Sequence, residues 1–284
     1  MSVTMVVVVA LAVFVGISLG MLGGGGSILT VPLLVYVAGL DAKVAIAASL
    51  FVVGVTSLAG MISHARQGRV RWRTGLIFGV AGMVGAFLAG LVGGHLPGGV
   101  LLTAFAVMMV ATSLAMLRGR KTPVAHQSVD GGLPVKRIVL DGFVVGVVTG
   151  LVGAGGGFLV VPALVLLGGL PMSVAVGTSL LVIAMKSFAG LAGYLSSVQL
   201  PWGLVLAVTA AAVVGSVVGG RLAGKVPETQ LRKAFGWFVL VMGVFVLVQQ
   251  GPSWAGPVAL AVGLAAALCW KFVPACPLRH AVTG

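Results

Sequence analysis

The strongest constraint in this sequence is that it repeats itself. Displaced by 130 residues, the stretch 15–105 aligns with 145–235 without a gap. Residues with special conformational roles keep one register, and the matched pairs include Gly20 with Gly150, Pro32 with Pro162, Ser57 with Ser187 and Trp72 with Trp202. Chance similarity between apolar sequences does not hold glycine, proline, serine and tryptophan in register over such a length. The pattern therefore predicts a duplicated structural unit.

The composition indicates where that unit resides. Hydrophobic residues make up 60% of the 284 residues and charged residues only 7%, with a mean hydropathy of +1.22. Since soluble domains carry about a quarter charged residues, a cytosolic enzyme, a nucleic-acid-binding module and a disulfide scaffold are disfavoured. The net charge of +13 is typical of basic cytoplasmic loops in a membrane protein, so no nucleic-acid partner is expected.

Each half contains five apolar segments. They lie at 3–22, 27–40, 44–62, 74–94 and 100–117 in the first half and at 138–152, 157–170, 174–195, 203–222 and 231–248 in the second. A further stretch, 254–272, has no counterpart and predicts one extra C-terminal helix. The predicted fold is an all-α membrane protein with a first repeat (1–117), a basic cytoplasmic linker (118–137), a second repeat (138–249) and an appended helix and tail (250–284).

The second segment of each half is too short to cross a bilayer, because a crossing takes about 20 helical residues. Each short segment follows a glycine cluster, at 20–27 and 150–157. These clusters predict breaks at which one helix ends inside the membrane and a half-length helix begins. Backbone amides freed in this way must line a protein or water-filled cavity, because they cannot face lipid. The alternative is that the glycines only allow close helix packing.

The basic residues predict the orientation of the two halves. The loop after the third segment is basic in the first half (64–73) and uncharged in the second (196–201), whereas the next loop is uncharged in the first half (95–99) and basic in the second (221–233). By the positive-inside rule the repeats are inverted relative to each other. The N-terminus is then expected outside, and the linker and C-terminus in the cytoplasm.

An inverted duplication with paired broken helices is typical of secondary transporters, whose substrate site lies near the membrane midplane between the repeats. Half-helices that begin at the breaks direct backbone N–H groups toward that site, which favours an anion. The candidate substrate-binding residues lie in the two breaks and at polar positions of the two third segments: Gly24, Gly25, Gly26, Ser27, Ser49, Thr56, Ser57, Gly155, Gly156, Gly157, Thr178, Ser179, Lys186 and Ser187. For each hydroxyl, a bond to its own backbone or to a neighbouring helix is the structural alternative.

Lys186 is the most informative of these residues. It lies near the middle of the apolar run 174–195, where a charged side chain is costly and usually functional. The four acidic residues, Asp41, Asp130, Asp141 and Glu228, all fall at predicted segment ends or in loops. A substrate anion is therefore the expected partner of the lysine. The alternatives are that the lysine stays uncharged or that it snorkels to an interface.

The same motifs resemble a known family. The stretches Gly20 to Pro32 and Gly150 to Pro162, the following Ala45 to Leu50 and Ala175 to Leu180, and the basic loop that ends at Arg73 are similar to those of the TauE/SafE family of sulfite and organosulfonate exporters. The resemblance covers nearly the whole chain to about residue 248. It implies a multi-pass carrier of the bacterial inner (plasma) membrane for a small sulfur-containing anion.

The predicted function is thus a secondary transporter that moves a sulfite, thiosulfate or organosulfonate type of anion by alternating access around a midplane site. An anion channel is the first alternative, and a membrane enzyme or assembly factor is a weaker one. No constellation of histidine and carboxylate residues lies in the core, and Cys269 and Cys276 lie near the C-terminus, so no enzyme activity, metal or cofactor is expected. The expected partners are the anion, the lipid bilayer and, as an open alternative, a second copy of the chain.

Overall fold

The computed structural model of the chain describes residues 3–22, 25–117, 135–153, 156, 159–161, 164, 170–222 and 228–250. These residues are almost entirely helical and include no strand. The numbered helices are α1 (Val3–Leu22), α2 (Thr30–Pro32), α3 (Ala42–Arg66), α4 (Trp72–Gly93), α5 (Gly98–Leu117), α6 (Val135–Val152), α7 (Met172–Tyr194), α8 (Trp202–Leu222) and α9 (Glu228–Gln250). The all-α class is therefore confirmed, whereas the extra C-terminal helix, predicted beyond residue 250, lies outside the described residues.

Four of these helices are long and apolar enough to cross a membrane: Ala42–Arg66, Trp72–Gly93, Val174–Tyr194 and Trp202–Arg221. Five shorter apolar helices accompany them in the described part of the chain. Many large apolar side chains on these helices are exposed, among them Leu76, Val80 and Val84 along α4. Lipid-facing surface of this kind agrees with a multi-pass membrane protein.

The chain forms two compact units. One contains Met1–Leu101 and Pro123–Val226, and the other contains Leu102–Thr122 and Pro227–Gly284. The first unit holds α1 to α4 and α6 to α8, so helices from both predicted repeats build it together. In the second unit α9 packs on α5, where Gly243 lies against Met109 and Val110.

Glycines set the close helix crossings of the first unit. Where α1 crosses α8, a Cβ added to Gly16 would collide with the carbonyl oxygen of Ala212, and one added to Gly215 would collide with that of Val13. Small residues of this kind let helix backbones approach each other in membranes, where packing replaces the hydrophobic effect as the driving force.

Glycines also lie at the close contact where α4 crosses α6. A Cβ added to Gly146 would collide with the carbonyl oxygen of Gly82, and one added to Gly85 would collide with that of Phe143. Helices α3 and α7, the third helices of the predicted repeats, also pack together, and each of them contacts the fourth helix of the other half, α8 and α4 respectively.

This packing predicts opposite effects at two adjacent glycines of α8. A Cβ at Gly219 would collide with the carbonyl oxygen of Ile17, whereas a Cβ at Gly220 meets nothing within 4 Å. Gly219→Ala is expected to destabilise the protein by about 1–3 kcal/mol through overpacking, while Gly220→Ala keeps or raises stability, because alanine is the better helix former. Thermal unfolding of the two purified variants measures this, and equal melting temperatures would contradict the close α1–α8 contact.

The glycine clusters coincide with interruptions of the helices. Helix α1 ends at Leu22, and helical structure is described again from Gly25, in a 3₁₀ turn (Gly25–Leu29) that leads through α2 into a π turn (Leu33–Val37). Helix α6 ends at Val152 and is followed by Gly153 and Gly156, whose φ angles of +70° and +64° are left-handed values that glycine adopts without strain.

The chain after the second break is enclosed by protein. Val160, Val161 and Leu164 are buried in an apolar cluster with Phe78 of α4 and Val182 of α7. These described residues of the short segment therefore lie within the helical core, as required of an interrupted helix in a membrane protein.

Candidate functional site

Lys186 lies at the middle of the crossing between α3 and α7. Gly190 of α7 packs near Leu50 of α3, and Gly60 of α3 packs near Leu180 of α7, so the two helices run in opposite directions. Halfway between these contacts stand Thr56 of α3 and Lys186 of α7, which are also equivalent in the sequence repeat. Both helices are long enough to span a membrane, and Lys186 lies near the middle of α7.

The lysine is completely enclosed and has a neutral partner. Its side chain is 1% exposed, and its Nζ donates a hydrogen bond to Thr149 Oγ1 of α6 at 2.9 Å. Within the described ranges, Lys186 has no other hydrogen-bond or ion-pair partner. Burying a charged ammonium costs several kcal/mol even after relaxation, so in its charged form a lysine held only by a neutral hydroxyl would strongly favour an anion beside it.

The second glycine break lies directly beside this pair. A Cβ added to Gly156 would stand 2.5 Å from Lys186 Nζ and would also collide with the Thr149 side chain. Glycine is therefore required here twice, for its left-handed φ and for the room that the ammonium occupies. The Gly156 carbonyl oxygen accepts from the amides of Leu159 and Val160, so helical hydrogen bonding resumes at this residue.

Ser49 joins the break to α3. Its hydroxyl donates to the carbonyl oxygen of Gly153 at 2.8 Å, and Gly153 packs closely on Ile46 one turn earlier. Ser49 thus anchors the start of the break to α3, and Gly156 of the same break lies against Lys186 of α7.

Other predicted hydroxyls are already occupied. Thr56 Oγ1 donates to Val52 O in its own helix at 2.7 Å, and Ser179 Oγ donates to Val176 O at 2.7 Å. Thr178 Oγ1 accepts from the backbone amide of Arg71 at 3.0 Å and so anchors the start of α4. Each of these three residues has a structural hydrogen bond of the kind that the sequence left open as the alternative.

Ser57 and Ser187 differ from them, since both are fully buried and neither hydroxyl has a hydrogen-bond partner among the described residues. Buried hydroxyls are normally hydrogen-bonded. The two serines are repeat equivalents and directly follow Thr56 and Lys186, at the level of the α3–α7 crossing. Two hydroxyls without a hydrogen-bond partner among the described residues therefore remain in the core at the level of this crossing.

The remaining predictions concern the breaks themselves. Gly25, Gly26 and Ser27 lie in the 3₁₀ turn, and Ser27 is fully buried. Gly24, Gly155 and Gly157 lie outside the described residues.

Sequence reasoning missed Thr149. The signal was the repeat register, because displacement by 130 residues places Thr149 and Lys186 where the first half has Leu19 and Thr56. The second half gains a hydroxyl at 149 and has an amine in place of a hydroxyl at 186, and these two differences together identify a pair that hydropathy alone does not.

Asp141 lies inside a helix and not at the end of a segment, where the sequence predicted it. It was expected at a segment end, but α6 begins at Val135, so Asp141 lies in its second turn, two turns before Thr149. Its Oδ2 is buried and makes no hydrogen bond to any residue that the structure describes, and it forms no ion pair with Lys186 there. Lys186 is thus bonded to the neutral Thr149 hydroxyl, although α6, the helix of Thr149, also carries the Asp141 carboxylate.

These features define a helical membrane protein of the transporter class, with an interrupted helix and a buried lysine in its core. The chain belongs to the TauE/SafE family, since residues 8–246 match the family described as sulfite exporter TauE/SafE. No solved structure matches the chain.

Relatives named as probable membrane transporter proteins agree with this assignment. One from Xylella fastidiosa strain 9a5c is 34% identical over 260 residues, which cover 90% of this chain and 98% of the relative. Others are a protein of Methanocaldococcus jannaschii, 26% identical over 84% of this chain and 95% of its own length, and YunE of Bacillus subtilis, 29% identical over 86% of this chain and 94% of its own. The chain is accordingly a membrane transporter.

Proposed function

We propose that this transporter carries a small sulfur oxyanion or organosulfonate and that Lys186 binds it. The observation that carries the proposal is a buried lysine whose only partner within the described residues is the neutral Thr149 hydroxyl. An ammonium has three N–H donors, so two remain for a ligand. Charge-assisted hydrogen bonds to an oxyanion are among the strongest that a protein forms.

The surroundings of Lys186 favour a small, compact anion. The ammonium stands against Gly156 and the Thr149 side chain, and the unpartnered hydroxyls of Ser57 and Ser187 lie at the same level of the core. Sulfite and thiosulfate present several acceptor oxygens at short range, which suits the two remaining N–H donors of an ammonium. The description of the family as sulfite exporters supports the same substrate class.

Alternating access is supported by the symmetry of the contacts. Displaced by 130 residues, the Gly16–Ala212 contact between α1 and α8 becomes the Gly146–Gly82 contact between α6 and α4, and the Leu50–Gly190 contact becomes the Gly60–Leu180 contact. Such exchange between halves is expected of two repeats related by a two-fold axis. We infer that the repeats have inverted topology and that they rock around Lys186 on that axis, as in other transporters built from inverted repeats.

The proposed location follows from the basic loops. Arg66, Arg69, Arg71 and Arg73 surround the connection of α3 and α4, and the positive-inside rule assigns this end to the cytoplasm. The N-terminus would then be outside and the C-terminus inside, in a bacterial inner membrane.

The test of substrate binding is thermal stability of the purified protein with sulfite, thiosulfate, sulfoacetate, sulfate and chloride. A ligand that binds only the folded state at 100 times its Kd stabilises it by about 2.7 kcal/mol. At least one sulfur anion is expected to raise the melting temperature of the wild type, with chloride as the control for ionic strength. A chain that responds to none of them would contradict the proposed substrate class.

The test of alternating access is counterflow in proteoliposomes. Unlabelled sulfite on the inner side is expected to stimulate uptake of labelled sulfite, because a carrier returns faster when loaded. Uptake of labelled sulfite that does not change with unlabelled sulfite inside would instead favour an anion channel around the same lysine.

A further inference from the structure

The core of this transporter is symmetric in its packing but not in its chemistry. Lys186 and Thr149 of the second half correspond to Thr56 and Leu19 of the first half. The helices that carry both pairs make equivalent glycine contacts, as described above. Only one of two equivalent places therefore holds a hydrogen-bonded lysine.

The Thr149 hydroxyl donates its proton to its own helix, so it can serve only as an acceptor for Lys186. Its oxygen lies 2.7 Å from the carbonyl oxygen of Val145, to which it donates. Since a hydroxyl has one proton, Thr149 can only accept from Lys186, at 2.9 Å. Threonine is also restricted at χ1, so the acceptor is held at a fixed position on α6.

The first half lacks such an acceptor. Leu19 is buried at 2% exposure and is apolar, and Thr56 donates its proton to Val52 within its own helix. Nothing at this pair of positions holds a cation in place, so the symmetry of the packing does not create a second anion site.

We propose that Thr149 is the positioning residue for Lys186, and that this single pair gives the transporter one anion site for each chain. The inference rests on the proposed function in that the ligand is taken to be the sulfur anion. Thr149 aims the two remaining ammonium N–H groups by holding the third, without itself contacting the anion.

The first experiment measures sulfite affinity from the sulfite dependence of thermal stability. Thr149→Val keeps the shape of the side chain but removes the acceptor, and it is expected to raise the sulfite concentration for half-maximal stabilisation by about tenfold. Thr149→Ser restores the acceptor and is expected to remain within about threefold of wild type. The matched control is Thr209→Val, since Thr209 is buried on α8 and donates to its own helix at Val205 in the same way. Wild-type sulfite affinity in Thr149→Val would overturn the inference.

The second experiment needs no ligand and is a double-mutant cycle in melting temperature. Thr149→Val is expected to lower the melting temperature by several degrees when Lys186 is present, because it leaves the ammonium without an acceptor, and by less than half as much in the Lys186→Met background. Additive effects would show that the two side chains are not coupled and would overturn the positioning role. If the two effects are coupled but no sulfur anion changes the melting temperature of the wild type, the Thr149–Lys186 interaction is supported and the proposed function is contradicted.

The stoichiometry tests the remaining claim. Equilibrium dialysis with radiolabelled sulfite is expected to give one bound anion for each chain in wild type and a loss of binding in Lys186→Met. Two equivalent anions for each chain would show that the first half also binds and would overturn the single-site inference.

Discussion

Replacing Lys186 with methionine is expected to abolish transport of the sulfur anion while the protein still folds. Methionine keeps an unbranched side chain of similar length but removes the charge, so the anion loses its main donor. Hydrogen bonds to charged groups contribute about 1.5–3 kcal/mol, which corresponds to a loss of affinity of about tenfold or more. Since removal of a buried, unpaired charge also removes its desolvation cost, the melting temperature without ligand is expected to be maintained or raised.

The measurements are uptake of labelled sulfite into proteoliposomes and the thermal response to sulfite. Lys43→Met is the matched control, because Lys43 also donates its ammonium to a neutral acceptor, the Gly94 carbonyl oxygen at 3.0 Å, at the end of α4. It is expected to keep wild-type affinity. Normal transport by Lys186→Met would remove the lysine from the mechanism and, with it, the proposed site.

The second large effect is expected at Gly156. Gly156→Ala introduces a Cβ that would stand 2.5 Å from Lys186 Nζ and overlap the Thr149 side chain, at a residue whose φ is +64°. The break and the lysine must then move apart, so we expect sulfite affinity to fall by about tenfold or more, with about 1–3 kcal/mol of lost stability from overpacking. The measurement is again the sulfite concentration for half-maximal thermal stabilisation.

Gly39→Ala separates this steric effect from the backbone cost. Gly39 has a similar φ of +71°, but a Cβ there meets nothing within 4 Å. Both variants therefore incur the left-handed penalty of about 1–2 kcal/mol, and only Gly156→Ala disturbs the ammonium. Equal sulfite affinities in the two variants would contradict the position assigned to the break beside Lys186.

Much of this architecture follows from the sequence. Hydropathy and the 130-residue repeat predicted the membrane helices, and the glycine clusters predicted interruptions next to Leu22 and Val152. Lys186 was identified because a charge within an apolar helix is costly wherever that helix packs. These features were predictable because they depend on local periodicity and on the free energy of transferring a residue into the bilayer.

The tertiary structure decided which polar groups meet. Thr56, Ser179 and Ser49 were equally good candidates in the sequence. Thr56 and Ser179 donate hydrogen bonds within their own helices, whereas Ser49 donates to the carbonyl oxygen of Gly153, 104 residues away. Whether a hydroxyl bonds its own backbone or a distant one depends on which helix lies against it, and spacing along one helix does not contain that information.

The partner of Lys186 was decided in the same way. Thr149 is 37 residues away in sequence and, as a lone threonine in an apolar helix, carries no special signal by itself. Its role arises because α6 packs against α4 and α7, with Gly146 and Gly156 allowing approaches that any larger residue would prevent. The sequence by itself predicted a membrane-embedded duplication with a lysine in an apolar helix. Only the tertiary structure decided that a neutral hydroxyl holds that lysine, because side-chain pairing depends on how closely the helices pack.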